Sequence, residues 1–117
     1  MNKMKTQKAG RWKGWKLKTI KRSHVPEKKF DAVFENTDGR TKVQPFGQKG
    51  YNDFILYNSK YDSNTAKEHK KRYIARHRGM GETFRDPTKA QTLSRYVLWN
   101  KKTLKSSIRD YKQRFGL

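Results

Sequence analysis

The sequence predicts an α+β fold: an extended basic N-terminal arm, a β-hairpin with a candidate third short strand, then about three short helices. Three observations carry this. The first 29 residues hold eleven cations and one acid, Glu27, with few apolar side chains. Residues 30–35 alternate apolar and polar with a period of two. From residue 65 onward, helix-capping signals and a four-three-four apolar stripe take over.

The arm spans 1–29 and the folded domain 30–117. Apart from Met, the sizeable apolar residues of the arm are Trp12, Trp15, Leu17, Ile20 and Val25. Such a stretch alone does not bury enough surface to offset its ordering entropy, so it is expected to be flexible in isolation. Within it Leu17-Lys18-Thr19-Ile20 is a candidate short strand. Phe30, Ala32 and Phe34 then mark the inner face of the first hairpin strand. Asn36-Thr37-Asp38-Gly39 supplies the turn, with glycine free to take positive φ. Thr41-Lys42-Val43-Gln44 returns, and Pro45 is expected to end it. Gly47 and Gly50 bracket a loop before Tyr51–Tyr57, the candidate third strand.

Thr65 followed by Glu68 reads as a capping box for a helix running to about Arg78 and stopping at Gly79. Asp86-Pro87 reads as an N-cap with proline at the first helical position. The helix so opened carries Ala90, Leu93 and Val97 on one face, with Leu98 beside them. A last helix starts near Thr103. It places Leu104, Ile108, Tyr111 and Phe115 on one stripe, and Gly116 ends it.

Composition bounds what such a fold can do. Thirty Lys and Arg face ten Asp and Glu in 117 residues, a formal net charge of +20. That charge repels itself in a compact chain and attracts polyanions: nucleic acid, an acidic membrane surface or acidic protein faces. Apolar residues make up 32%, below the roughly 45–50% usual once glycine is added. The core is therefore small and leans on fifteen aromatics. Absence of cysteine removes disulfides, iron–sulfur clusters and thiolate zinc sites, and fits a reducing interior. The longest apolar run, Phe54-Ile55-Leu56-Tyr57, is far short of the roughly 20 residues that cross a bilayer. The lysines at the N-terminus are followed by no apolar segment of a secretory signal. The expectation is a soluble, intracellular protein with no membrane span.

Two basic segments are the candidate binding surfaces for a polyanion or a partner. In the arm these are Arg11, Trp12, Lys13, Trp15, Lys16, Lys18, Lys21 and Arg22. Cations interleaved with indoles suit phosphates and exposed bases. They suit equally well an arm whose tryptophans dock into grooves of a neighbouring protein. On the helix the candidates are Lys70, Lys71, Arg72, Arg76 and Arg78. Taken alone, they are the solvated face over an apolar stripe; with the arm, they suggest one continuous positive surface.

Chemistry beyond binding is not indicated. His69 and His77 stand eight residues apart, roughly 12 Å along a helix, too far to share one metal. Phe46-Gly47-Gln48-Lys49-Gly50 lacks the spacing and the following Ser or Thr of a phosphate loop. Asp53, Glu82, Asp86 and Asp110 could assemble as nuclease ligands, but two or three of them have ordinary work as caps or ion-pair partners. No enzyme, no cofactor and no small-molecule substrate is expected.

One resemblance adds to this. Phe46-Gly47, Lys49-Gly50-Tyr51, Asp53-Phe54, Arg72-Tyr73-Ile74, Arg76-His77, Asp86-Pro87-Thr88, the block Leu93–Lys101, and Thr103-Leu104, Ile108, Asp110-Tyr111 and Arg114-Phe115 together resemble a family. Its members are small basic proteins of uncharacterised function encoded by giant nucleocytoplasmic large DNA viruses, chlorovirus- and mimivirus-like. The resemblance covers about Phe30 to Phe115 and omits the arm. It is most specific from Leu93 to Lys101, where the family more often has tryptophan at the position of Tyr96. It implies a viral source and assembly in the host cytoplasm, and brings no catalytic residues. Two functional expectations follow. One is a minor capsid component on the inner side of the virion shell, its arm and aromatic anchors binding neighbouring capsid proteins. The alternative is a DNA-binding protein that packages genome without sequence preference.

Overall fold

A computed structural model describes residues 14–117. Three antiparallel strands form one sheet in the order β1 (Trp15–Arg22), β2 (Lys28–Asn36), β3 (Thr41–Gln48). Four helices follow: α1 (Phe54–Lys60), α2 (Ser63–Gly79), α3 (Ala90–Leu93) and α4 (Leu104–Phe115), with one π-helical turn, Ser94–Leu98, between the last two. The fold is α+β.

The hairpin lies where alternation placed it. Phe30 pairs with Phe46, Ala32 with Gln44 and Phe34 with Lys42. Asn36 holds the turn: its Oδ1 accepts from the backbone N–H of Asp38 and of Arg40, each at 2.9 Å, while Gly39 takes φ 85°. Pro45 does not end β3, which continues to Gln48. β3 is an edge strand, so the missing proline N–H costs no ladder bond.

The third strand is present, but upstream of the hairpin. β1 lies within the segment read as an arm and pairs with β2 from Trp15↔Asn36 to Arg22↔Phe30, with a bulge at Lys18. The short strand expected at residues 17–20 is thereby found, lengthened to Trp15–Arg22 by its pairing with β2. Leu17 and Ile20 are too few to fold alone, but β2 offers them a preformed edge and a core, where Leu17 is only 6% exposed. Of the flexible arm expected over residues 1–29, residues 1–13 lie outside the described residues.

Tyr51–Tyr57 is not a strand. Asp53 caps a helix there, its carboxylate accepting from the Leu56 N–H at 3.0 Å. A four-residue apolar run is ambiguous between helix and strand, and the cap decides it. The helix α2 starts two residues before Thr65: Asp62, not Thr65, is its N-cap and accepts from the Thr65 N–H at 2.7 Å. Asp86-Pro87 likewise opens no helix directly. The Asp86 carboxylate accepts from the Thr88 N–H and hydroxyl at 3.0 and 2.8 Å, closing a turn, and α3 begins at Ala90. The last helix is as expected, capped by Thr103 and ended by Gly116 at φ 69°.

The core lies between one sheet face and the helices. Leu17, Ala32, Phe34 and Phe46 from the sheet meet Leu93, Val97, Leu98 and Tyr111, with Phe54, Ala66, Tyr73, Trp99 and Leu117 completing the cluster. Tyr73 stacks on Trp99 with ring centres 4.5 Å apart. The other sheet face carries Lys16, Thr19, Lys21, Val33, Glu35, Thr41 and Val43, paired by register. Val43 is 45% exposed there, so no helix among the described residues covers that end of the face.

Candidate polyanion-binding surface

Cross-strand register fixes which arm-derived cations share a face. Lys16 stands opposite Glu35, and Lys21 opposite Asp31, both on the open side. Lys18, at the bulge, reaches 3.9 Å from Glu35 and stays 57% exposed. An exposed pair at that distance adds about 0–1 kcal/mol and leaves the lysine free to meet an anion. The opposing Asp31 is only 1% exposed and already committed. The Ser23 hydroxyl donates to it at 2.6 Å and His24 Nδ1 lies 2.5 Å away. Burial pushes the Asp31 carboxyl up, but these hydrogen bonds and the His24 charge outweigh it and hold the group below the usual carboxylate range. Lys16, Lys18 and Lys21 thus form an exposed triad.

The remaining arm residues divide. Arg11, Trp12 and Lys13 lie outside the described residues. Trp15 is half-buried against this chain's own core and does not stand free as an anchor. Arg22, exposed at the end of β1, overhangs a groove on the helical side.

On α2 the candidates divide as well. Lys71 and Arg78 are exposed, and Arg72 is exposed 3.9 Å from Glu68. Arg76 rests over the Tyr73 ring at 5.9 Å. Lys70 has a structural role: its Nζ donates to the Asn100 carbonyl at 2.9 Å and sits 4.6 Å over the Phe54 ring. Burial, then the Arg95 and Lys101 charges, lowers its pKa. Sequence reasoning passed over three further cations, Lys105, Arg109 and Lys112, all exposed on α4. Their spacing of four and three puts them on one side of that helix. It was visible beside the apolar stripe that drew attention instead.

Among the described residues the cations fall into two sets. One set lies on the open sheet face. The other lies on the helices that cover the opposite face.

A cleft of about 390 Å³ opens between the β3 end, α2 and the α3 region, lined by Lys28, Lys29, Asp53, Arg76, His77 and Glu82 among others. Its charges are largely spoken for. Lys29 Nζ donates to Asp53 at 2.7 Å and to the Tyr51 carbonyl at 2.6 Å, and His77 Nδ1 lies 2.8 Å from Glu82. Burial, then the Glu82 charge, pushes the Tyr73 hydroxyl up to about 12, so it stays a neutral wall residue. His69 stacks on Tyr57 with ring centres 4.0 Å apart. Among the described residues no group of three or more His, Cys, Asp or Glu is placed to hold a metal ion. None of their helices is long and apolar enough to cross a membrane.

No protein-family model, curated protein or solved structure matches the chain.

Proposed function

We propose that this protein is a non-catalytic structural component of a large DNA virus particle. In this reading it lies on the inner side of the capsid and binds packaged DNA without sequence preference. One observation carries it: exposed cations occupy both the open sheet face (Lys16, Lys18, Lys21) and the helical side (Lys71, Arg78, Lys105, Arg109, Lys112), and few carboxylates oppose them. A two-sided polycation touches two polyanion segments at once, as expected of a protein packed among DNA. A base-reading protein would instead present one element shaped to a groove. The viral setting rests on the residue-level resemblance.

A second reading, attachment to neighbouring capsid proteins, is favoured by an apolar groove, whereas Trp15 is packed against its own core.

The test is DNA affinity across salt. With ~6–10 phosphates contacted, affinity for random-sequence duplex should fall by ~10³–10⁵ between about 50 and 200 mM salt, whatever the sequence. Binding that resists salt, or prefers one sequence by orders of magnitude, defeats the DNA reading. Absence of the protein from purified particles defeats the virion reading.

A further inference from the structure

Below Arg22 and Lys49 lies a groove of about 520 Å³. Phe30, Ile55, Leu56, Leu98 and Leu104 line it, and all but Leu98 are only half-buried. A second depression of about 490 Å³ shares Ile55 and Leu104 with it and runs on past Asn58 and Ser63 to Lys102. The two depressions are neighbours, Ile55 and Leu104 belonging to both, and together they outline a trough. An elongated apolar trough fits a length of polypeptide better than a compact small molecule.

The charges at its ends are open. Arg22, Lys49 and Lys102 are exposed, and among the described residues none of the three makes an ion pair. Lys29, on the wall between, is already neutralised by Asp53. The complement is apolar in the middle and acidic at both ends. This chain's own first thirteen residues are a poor match, with Lys3, Lys5, Lys8, Arg11 and Lys13 and no carboxylate. A second copy, also +20, is repelled. DNA has no apolar segment to bury.

We propose that this trough seats an apolar segment of a partner protein that carries carboxylates at both ends. The inference goes beyond the DNA reading and shares with it only the setting in an assembly.

The test uses the full chain, isotopically labelled and titrated with a synthetic leucine-rich peptide flanked by glutamates. The same peptide flanked by lysines is the control. The expected result is saturable shifts at Phe30, Ile55 and Leu104, with the glutamate peptide binding about tenfold tighter, the scale of three exposed charge pairs. R22E/K49E/K102E should reverse that order while keeping a folded spectrum. Equal affinity for both peptides, no binding of either, or shifts confined to the open sheet face would overturn the proposal. So would peptide binding that appears only after residues 1–13 are removed, which would make that segment the occupant. K16E/K18E/K21E should weaken duplex DNA and leave the peptide unaffected, so losing one activity shows which of the two readings has fallen.

Discussion

The hydroxyl of Tyr111 donates to the carbonyl of Pro87 at 2.6 Å, and the tyrosine is wholly buried. This bond ties the last helix to the turn that precedes α3, 24 residues away in sequence. Burial, then the Asp86 charge, pushes the hydroxyl's pKa well above its ordinary value, so it remains a donor throughout the accessible pH range.

Tyr111→Phe keeps the ring in the core and removes only the donor. It leaves a buried carbonyl unpaired, which costs about 1–3 kcal/mol. Urea unfolding should report that loss with an unchanged m-value. A loss below about 0.5 kcal/mol would mean that water reaches Pro87 instead.

Asp31 makes the molecule acid-sensitive. Its carboxyl is held below the ordinary value of 3.8 in the folded chain by Ser23 and His24, despite burial. The unfolded chain then takes up a proton first as pH falls. The stabilisation is full above the unfolded value and is lost as pH drops from about 4 through the folded value. Asp62 and Asp110 are shifted in the same direction, so Asp31→Asn should flatten the fall between pH 5 and 2 only in part. Equal slopes in the variant and the parent would remove Asp31 from the account.

Much of this architecture is legible from residue order, for local reasons. Asn36–Gly39 and Thr103 with Gly116 are self-contained signals, satisfied within a few residues of themselves. What misleads is whatever depends on a distant partner. The short strand expected at residues 17–20 is present, but its full length, Trp15–Arg22, needs β2 beside it. Gly47, read as part of a loop, lies inside β3 at φ 83°, where a Cβ would stand 2.8 Å from Leu98 Cδ1. That approach exists only once the π-helical turn is in place. The binding surface follows the same division: the cations are visible as types, but their split between two faces needs the sheet register. The role of Lys70 needs Phe54 and Asn100 folded against it.

Truncation separates the arm from the sheet. A chain beginning at Gly14 retains all of β1 and should melt within a few degrees of the full chain. A chain beginning at Ser23 loses Leu17, whose side chain alone is worth about 2–5 kcal/mol as a buried leucine. Against a total of about 5–15 kcal/mol, that loss together with the β1 ladder should abolish cooperative unfolding. Circular dichroism melts decide it: a cooperative transition in the shorter chain would show β1 to be dispensable.

The two-sided charge makes the final prediction. Reversing the open sheet face with K16E/K18E/K21E should lower the salt slope of DNA binding by about three units, close to one per lost phosphate contact. Reversing the helical side with K71E/R78E/K105E/R109E/K112E should lower it by about five. Neither should abolish binding, because the other face remains. Bridging is different, since it needs both. Mixed with long duplex at low salt, the parent should give light scattering and co-sedimentation of several duplexes, and each face-reversal variant should give neither while still binding single duplexes. If one variant loses all binding and the other loses none, the protein binds DNA through one face, and a role between two layers of polyanion is wrong.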